Sequence, residues 1–264
     1  MNGLTVFIDG IGLLGPGLPN WDEARPILRG EAPLVLAAPT LPAPMALPSA
    51  ERRRVGLPVK LSMAVGFEAA KHAGIDPAHL PNVFSSTGGD CDNCHMILEA
   101  LASNDRQISP TRFHNSVHNA PSGYWSIATG CREASTSLCA FDATFAAALL
   151  ETASQACAYG KPCLLVGYDT AYPDPLYSIR PIPYTFGIGM VLSPRRSKHS
   201  LAQIRLNLST ASPDSCESPQ MESLRTSLPC ARSLPLLNRL AAKKHGTVTL
   251  DYLEELSMQV ELSA

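Results

Sequence analysis

The clearest indication of the fold class is the segment Gly130-Cys-Arg-Glu-Ala-Ser-Thr-Ser-Leu-Cys-Ala-Phe-Asp-Ala-Thr-Phe145. Residues 135–139 have the length and composition of a short β-strand, whose successive side chains point to opposite faces. Residues 142–159 follow at once and are small and apolar all round, which predicts a helix buried between layers or against a partner. A strand that leads directly into a buried helix is the repeating unit of α/β folds, so we expect that class.

The rest of the chain alternates strands and helices in the same way, with turn residues between them. The predicted strands are Leu4–Ile8, Val83–Thr87, Ser135–Cys139, Cys163–Gly167, Ile188–Leu192 and Ser257–Leu262. The predicted helices are one that begins at Trp21 and ends at Gly30, then Val59–Ala73, Asp90–Ser103, Asp142–Tyr159 and Leu236–His245. Asn20 and Asp90 are the expected N-caps, and Gly246 is expected to close the last helix. This succession favours a layered α/β fold with buried strands.

Two stretches rich in proline or serine interrupt the pattern. Residues 31–58 carry six prolines at a spacing that forbids a helix or a central strand, so we predict an extended surface excursion. Residues 209–232 are predicted to be a loop or a poorly ordered insert. With 264 residues, 45% hydrophobic and 17% charged, the chain 1–264 is interpreted as a single domain.

Charge and hydropathy indicate a protein whose partners are other proteins. The formal net charge is -2, and the single basic cluster, Arg52–Arg54, is short and solvated in our interpretation. This pattern predicts neither nucleic-acid binding nor attraction to an anionic membrane. No apolar run reaches membrane-spanning length and no secretory leader is evident, so we expect a soluble cytoplasmic protein.

Three motifs suggest cofactor or metal sites, but in each case the surrounding sequence does not suit such a site. The segment Cys91-Asp-Asn-Cys94-His95 matches the haem c attachment pattern, but a reduced cytoplasmic chain without a second CxxC favours neither haem nor zinc. His114 and His118 have the spacing of a helical metal pair, yet the prolines and asparagines around them argue against a helix. We therefore predict no cofactor and no metal.

The third motif, Gly10-Ile-Gly12-Leu-Leu-Gly15, matches the dinucleotide-binding fingerprint after a predicted strand. That fingerprint requires a helix that starts at the glycines and points its N-terminus at the pyrophosphate. Here Pro16, Gly17 and Pro19 follow immediately, so no helix can start there. We predict a Gly-x-Gly turn and a Pro-Gly loop instead.

Several segments together resemble the β-ketoacyl synthases. The resemblance covers the opening strand and glycines, Ile108–Gly130, the segment Gly130–Phe145 and the Gly-rich Phe186–Pro194. In that family a glycine, an arginine two residues on and a short strand lead to a reactive cysteine that opens a helix. The resemblance extends from residue 1 to about 194 and implies a thiolase-like α/β/α fold, truncated essentially to its N-terminal half.

Counted without gaps from Gly130, Asp142 stands where the family keeps its cysteine. A thiolate is needed there because it attacks a thioester and carries the acyl chain, so we predict no catalytic residue and interpret Asp142 as a helix cap at a lost nucleophile position. Cys139 lies three residues too early, inside the predicted strand, and is interpreted as a small buried side chain.

The family also uses two histidines in a second half-domain, and the roughly 70 residues after Pro194 are too few for that half. His245-Gly246-Thr247 is only superficially similar to the first histidine motif. Loss of the nucleophile, both histidines and their half-domain together implies a non-catalytic subunit. The resemblance is closest to the compact chain length factors of aryl polyene and related polyketide or fatty-acid-like pathways.

A chain length factor forms a heterodimer with a catalytic ketosynthase and sterically limits the growing chain, and the acyl carrier protein is met through the complex. By resemblance, His118, Ser122 and Tyr124 are candidates for closing the partner's acyl tunnel. Two alternatives remain open. One is a small acyltransferase or thioesterase that uses Cys139, or Asp142 with a histidine. The other is a stand-alone homodimer that has a structural or acyl-binding role.

Overall fold

The computed structural model describes residues 3–264, which form one mixed sheet of eight strands in the order β3-β2-β4-β5-β1-β6-β8-β7. β3, β2 and β4 are parallel to one another, and every other neighbouring pair is antiparallel. The strands are β1 (Leu4–Leu14), β2 (Asn82–Ser85), β3 (Ser135–Leu138), β4 (Cys163–Asp169), β5 (Phe186–Ser193), β6 (Ala202–Ser209), β7 (Gly246–Asp251) and β8 (Ser257–Ser263).

Helices cover both faces of this sheet. The helices are α1 (Trp21–Leu28), α2 (Ser49–Arg52), α3 (Leu57–Ala73), α4 (Cys91–Ala102), α5 (Pro110–His114), α6 (Ala120–Thr129), α7 (Thr144–Tyr159), α8 (Leu176–Ile179), α9 (Pro219–Ser227) and α10 (Leu234–Ala241). One apolar core joins the sheet to α1, α7, α9 and α10, and a second joins it to α3 and α6. The predicted α/β/α layering is confirmed.

The Gly-x-Gly pair near the start lies inside β1, so the predicted turn is wrong. The reason is the close approach of α3 to the sheet. A Cβ atom at Gly12 would lie 2.0 Å from the Val65 carbonyl oxygen, and one at Gly10 would lie 2.1 Å from the Ala69 carbonyl oxygen. Gly189 on β5 meets the same Val65 oxygen at 2.3 Å. These glycines serve helix packing and form no phosphate-binding loop.

Most of the other predicted elements lie close to their predicted bounds. Asn20 caps α1 by accepting from the Glu23 amide at 2.9 Å, and Asp90 caps α4 by accepting from the Asn93 amide at 3.0 Å. Three large apolar side chains of α4, Met96, Leu98 and Leu101, lie at the surface, with Leu98 63% exposed. In the Pro-rich stretch between α1 and α3, helix α2 is the single regular element among the residues described.

The prolines and asparagines around His114 and His118 argued against a helix, and that expectation is wrong for Pro110–His114 and Ala120–Thr129. Pro110 opens α5 and Pro121 lies in the first turn of α6. Proline is tolerated there because its missing N–H has no intrahelical partner at a helix start. His114 ends α5 and His118 lies between the two helices, so the two histidines do not share a helix.

The predicted loop 209–232 is also wrong in its second half. Ser218 and Pro219 start α9, and Met221 and Leu224 of that helix are buried in the core. The serine and proline that suggested a loop are a cap and a first-turn residue. Downstream, α10 ends at Ala241, earlier than predicted, and Gly246 opens strand β7.

Candidate functional site

A tight turn connects β3 to the buried helix α7. Residues 141–143 form a single 3₁₀ turn, and Phe141 has a φ of 50°. The Thr144 hydroxyl closes the turn by donating to the Phe141 carbonyl oxygen at 2.6 Å and accepting from the Ala140 amide at 3.2 Å. Asp142 is therefore presented at a fixed point between strand and helix.

The Asp142 carboxylate binds two arginines. Its Oδ1 accepts from Arg180 at 2.6 Å, and its Oδ2 lies 3.2 Å from a guanidinium nitrogen of Arg232. The predicted helix cap is wrong, because α7 begins behind Ala143 without a side-chain cap. Two charged donors hold a carboxylate more strongly than backbone amides do, so Asp142 faces the arginines.

The ion pairs continue beyond Asp142 into the C-terminal part of the chain. Arg232 lies 4.0 Å from Asp251 on β7, and Asp251 pairs with Arg225 of α9. Arg225 also binds Glu222 at 2.6 Å, and this hydrogen bond lowers the pKa of Glu222. Alternating charges thus join the β3–α7 turn to α9 and β7.

Arg180 has a second contact set on the other side of Asp142. Its guanidinium donates to Thr87 Oγ1 at 3.0 Å and lies over the Phe141 ring at 3.6 Å from the centroid. Thr87 also contacts a fully buried carboxylate, that of Asp169. Asp169 accepts hydrogen bonds from the backbone amides of Thr87 (3.2 Å) and Cys230 (2.8 Å). Burial raises the pKa of Asp169.

Both oxygens of the Asp142 carboxylate thus have a guanidinium neighbour. Within residues 3–264, no histidine forms a hydrogen bond or an ion pair with Asp142. Among those same residues, no group of three His, Cys, Asp or Glu side chains is placed to hold a metal ion.

Cys139 is exposed, so its predicted burial is wrong. The reason is that β3 ends at Leu138, so Cys139 lies in the connection between β3 and α7, where Phe141 is exposed as well. The Cys139 thiol donates to the Thr87 carbonyl oxygen at 3.3 Å. Burial instead raises the pKa of Cys163 to about 12, and that thiol has no access to solvent.

The CxxC motif lies in the first turn of α4. Cys91 and Cys94 are both half-buried, and the Cys91 thiol donates to the Gly88 carbonyl oxygen at 3.3 Å. Burial raises the pKa of both thiols. Their surroundings are those of packed, protonated thiols.

Two of the three tunnel candidates lie near the edge strand. His118 Nε2 is 3.0 Å from the Ser86 carbonyl oxygen, just beyond β2. The Ser122 hydroxyl of α6 lies 3.2 Å from the Ser137 hydroxyl of β3. Ser122 is buried and His118 is half-buried.

Tyr124, the third candidate, lies in the core between the sheet, α3 and α6. Its ring is buried, and its hydroxyl donates to Asn115 Oδ1 at 3.0 Å. In this chain Tyr124 therefore stabilises the connection between α5 and α6 through its hydrogen bond to Asn115.

An open cleft of about 570 Å³ lies beside the β3–α7 turn. Phe141, Asp142 and Arg232 line one side of it, and residues 210–213 and 251–257 line the other. Sequence reasoning found Asp142 but not Arg180, Arg232 or Asp169. No local pattern marks these three as its neighbours, because long separations in sequence divide them from the turn.

A family model described as the β-ketoacyl synthase N-terminal domain matches residues 28–253. The chain belongs to this family. No curated protein matches the sequence of this β-ketoacyl synthase-like chain. Within residues 3–264, none of its helices is both long enough and apolar enough to cross a bilayer.

Solved structures of the same fold come from ketosynthase complexes. One is a ketosynthase in complex with its chain length factor from Xenorhabdus doucetiae (TM-score 0.74, 19% identity), where the match covers 98% of this chain and 99% of the other. The ishigamide ketosynthase/chain length factor matches with a TM-score of 0.72 and 13% identity, over 98% and 99%.

A third structure is described as a type II polyketide acyl-carrier protein in complex with its ketosynthase bound to the hexaketide. It matches with a TM-score of 0.75 and 11% identity, over 100% of both chains. At these identities the likeness concerns the fold, and it confirms the predicted thiolase-like architecture. The family prediction is confirmed as well.

Proposed function

We propose that this chain is a non-catalytic chain length factor that pairs with a catalytic β-ketoacyl synthase. The observation that carries the proposal is the pairing of Asp142 with two arginines. At the turn where the family keeps a thiolate, this chain has a carboxylate whose two oxygens bind Arg180 and Arg232. A carboxylate held by two cations is a poorer nucleophile towards a thioester than a thiolate, so in this proposal the chain contributes structure and no acyl-transfer chemistry.

In this proposal the partner docks on the edge strand β3. An edge strand presents unpaired N–H and C=O groups that another strand can bind. The neighbouring helices α4, α5 and α6 and the turn between α5 and α6 also expose large apolar side chains, which an isolated protein seldom groups together. These side chains are Met96, Leu98, Leu101, Phe113, Val117 and Ile127. The structures named above, in which chains of the same fold occur in ketosynthase complexes, support a heterodimer.

The proposed mechanism is steric. The partner's acyl tunnel would end against this chain, with Ser122 beneath the edge strand, His118 beside it and Tyr124 supporting the wall from the core. Forcing extra atoms into a packed site costs about 1–3 kcal/mol, which slows the next elongation roughly tenfold or more. The expected products are aryl polyenes or related type II polyketide or fatty-acid-like chains.

The carrier protein takes part through the partner in this proposal, and the complex works in the cytoplasm. The structure of an acyl-carrier protein with its ketosynthase, in which a chain of this fold occurs, supports a carrier that meets the complex.

One observation favours a second candidate, a small acyltransferase or thioesterase that uses Cys139. Its thiol is accessible, as a nucleophile must be. Its hydrogen-bond partner, however, is the Thr87 carbonyl oxygen, which cannot accept a proton as a general base would. We therefore prefer the chain length factor.

The deciding experiment is co-expression with the ketosynthase encoded nearest to this chain in its genome, followed by native mass spectrometry. We expect a one-to-one complex, and a chain that is less stable and tends to aggregate at high concentration when it is purified alone. His118, Ser122 and Tyr124 would then be replaced one at a time in the complex, and product lengths compared.

The opposite result is a stable homodimer that does not bind the ketosynthase, and it would remove the proposed function. Acyl-thioester labelling of Cys139 then tests the second candidate. A Cys139→Ser variant is the control, because it keeps the shape of the side chain and lacks the thiol.

A further inference from the structure

Phe141 has an unusual position for a large apolar residue. The side chain is 61% exposed, although burial would stabilise an aromatic ring. Its φ of 50° lies in the left-handed region that bulky side chains rarely adopt. Neither property benefits the isolated chain. Strained residues of this kind are found where a functional site requires them.

Arg180 fixes the orientation of the ring. Its guanidinium lies 3.6 Å from the Phe141 centroid, in stacking contact with one side of the ring. Arg180 is itself held by Asp142 Oδ1 at 2.6 Å and by Thr87 Oγ1 at 3.0 Å. A planar guanidinium with fixed hydrogen bonds is a rigid support. The rest of the ring is presented to solvent in one direction.

Phe141 lies next to the proposed docking edge. It follows Leu138, the last residue of β3, by three positions, so it is within about 11 Å of the end of that strand. Ile179, adjacent to Arg180 in the chain, is 83% exposed and adds a second apolar side chain. The apolar surface of α4 to α6 therefore has a counterpart beyond the end of β3.

We propose that Phe141 is a contact residue for the ketosynthase partner, inserted into an apolar hollow next to the partner strand that pairs with β3. Asp142 and Arg180 are its positioning residues. Asp142 thus has a role of its own at the lost nucleophile position: it holds the arginine on which the ring rests. This inference rests on the proposed function, and continuity with the β3 edge selects the ketosynthase as the occupant.

The experiment measures the affinity of purified variants for that ketosynthase by biolayer interferometry. Phe141→Asn removes the ring and suits a positive φ, because asparagine adopts that region more readily. We expect at least a tenfold weaker complex and an unchanged or higher melting temperature of the chain alone. A residue with a purely structural role would not give this combination. Phe141→Tyr keeps the ring and should bind within about threefold of the wild type.

Leu208→Ala is the matched control, because Leu208 is an exposed apolar residue (55%) on β6, five strands away from β3. It should leave the affinity unchanged. Asp142→Asn should weaken the complex in the presence of Phe141, and should have little further effect in the Phe141→Asn background. That loss of additivity identifies Asp142 as acting through the ring.

The two proposals fail in different ways. If the wild-type chain binds the ketosynthase and Phe141→Asn binds equally well, the role of Phe141 is refuted and the proposed function stands. If Phe141→Asn and Asp142→Asn weaken binding independently, the positioning role is refuted. If the wild type binds only a second copy of itself, the proposed function is wrong and this inference falls with it.

Discussion

Each oxygen of Asp142 lies close to a guanidinium group from a distant part of the chain. Arg180 follows α8, and Arg232 lies on the 3₁₀ turn before α10. Two guanidinium groups at this distance interact favourably with a negative charge at this position. The same surroundings would stabilise any other anion at that position. Arg180 and Arg232 therefore produce an electrostatic field at this turn that would also favour a thiolate.

Asp142→Cys should produce a thiol whose pKa lies below the usual value of about 8.5, because Arg180 and Arg232 favour the thiolate. The measurement is the pH dependence of carbamidomethylation, followed by mass spectrometry on the peptide that carries the substitution. The exposed thiols Cys139 and Cys157 of the same protein are the internal comparison. A half-maximal labelling pH at or above about 8.5 would contradict the inferred field.

The buried carboxylate of Asp169 should make the free energy of unfolding depend on pH. Burial raises its pKa in the folded chain, so between the ordinary value of about 3.9 and that raised value the folded state binds a proton that the unfolded state lacks. Stability contributed by Asp169 is then complete at low pH and is lost as the pH rises through this interval. Urea unfolding from about pH 4.5 to about pH 8 should show a steeper decline for the wild type than for Asp169→Asn.

Asp169→Asn should also be less stable by about 1–3 kcal/mol at the acidic end, because its amide group can accept from only one of the amides of Thr87 and Cys230. Equal slopes in the two proteins would show that Asp169 does not titrate in this range.

At the scale of elements, the packing of α3 on the sheet depends on glycines in β1 and β5. Gly12 has no room for a methyl group, because a Cβ would lie 2.0 Å from the Val65 carbonyl oxygen. Backbone atoms cannot rotate away as a side chain can, so the helix would have to move. A displacement of α3 would disturb the core that it shares with α6.

Gly12→Ala should therefore destabilise the chain by about 3 kcal/mol or more, measured by urea unfolding. Gly123→Ala is the matched control, since Gly123 lies in α6 and a Cβ added there would have no atom within 4 Å. That control should gain about 0.5–1 kcal/mol from helix propensity. Similar midpoints for the two variants would show that α3 can move away from the strand without cost.

Local patterns predicted those elements whose burial is uniform, and the failures have identifiable causes. β6 was missed although buried and less buried side chains alternate along most of the strand, and β7 was missed because its burial does not alternate and is confined to Val248, Thr249 and Leu250. In α9 the Ser-Pro start was mistaken for a loop signal, because a helix cap and a turn use the same residues. At the site, the sequence identified Asp142 by its spacing from Gly130, but its arginine partners are long-range neighbours that only the fold brings together.

At the scale of the whole molecule, the sheet formed by residues 3–264 ends at β3 on one side and at β7 on the other. The β3 edge is flanked by the exposed apolar side chains of α4 to α6 and by Phe141. Burying that surface and filling the free hydrogen bonds of β3 would both favour association. The same surface explains why we expect the chain to aggregate when it lacks its partner.

The backbone of β3 allows a direct test of that edge. The Asn82 amide donates to the Ala134 carbonyl oxygen and the Ser86 amide to the Leu138 carbonyl oxygen, so even-numbered residues of β3 bond to β2. In a parallel ladder the intervening residues direct their N–H and C=O groups away from that neighbour. The Ser137 amide thus points outward, towards a docked strand.

Ser137→Pro removes this outward donor and leaves the ladder to β2 intact, which is where a sheet tolerates proline. We expect a chain that folds with a melting temperature near that of the wild type and binds the ketosynthase at least a hundredfold more weakly. Ser137→Ala removes the side-chain contact with the Ser122 hydroxyl and keeps the backbone amide, so this variant should bind normally. Thr136→Pro should destabilise the chain itself, because it removes a hydrogen bond between β3 and β2. Normal binding by Ser137→Pro would place the partner elsewhere on the molecule, since no strand could then be paired along β3.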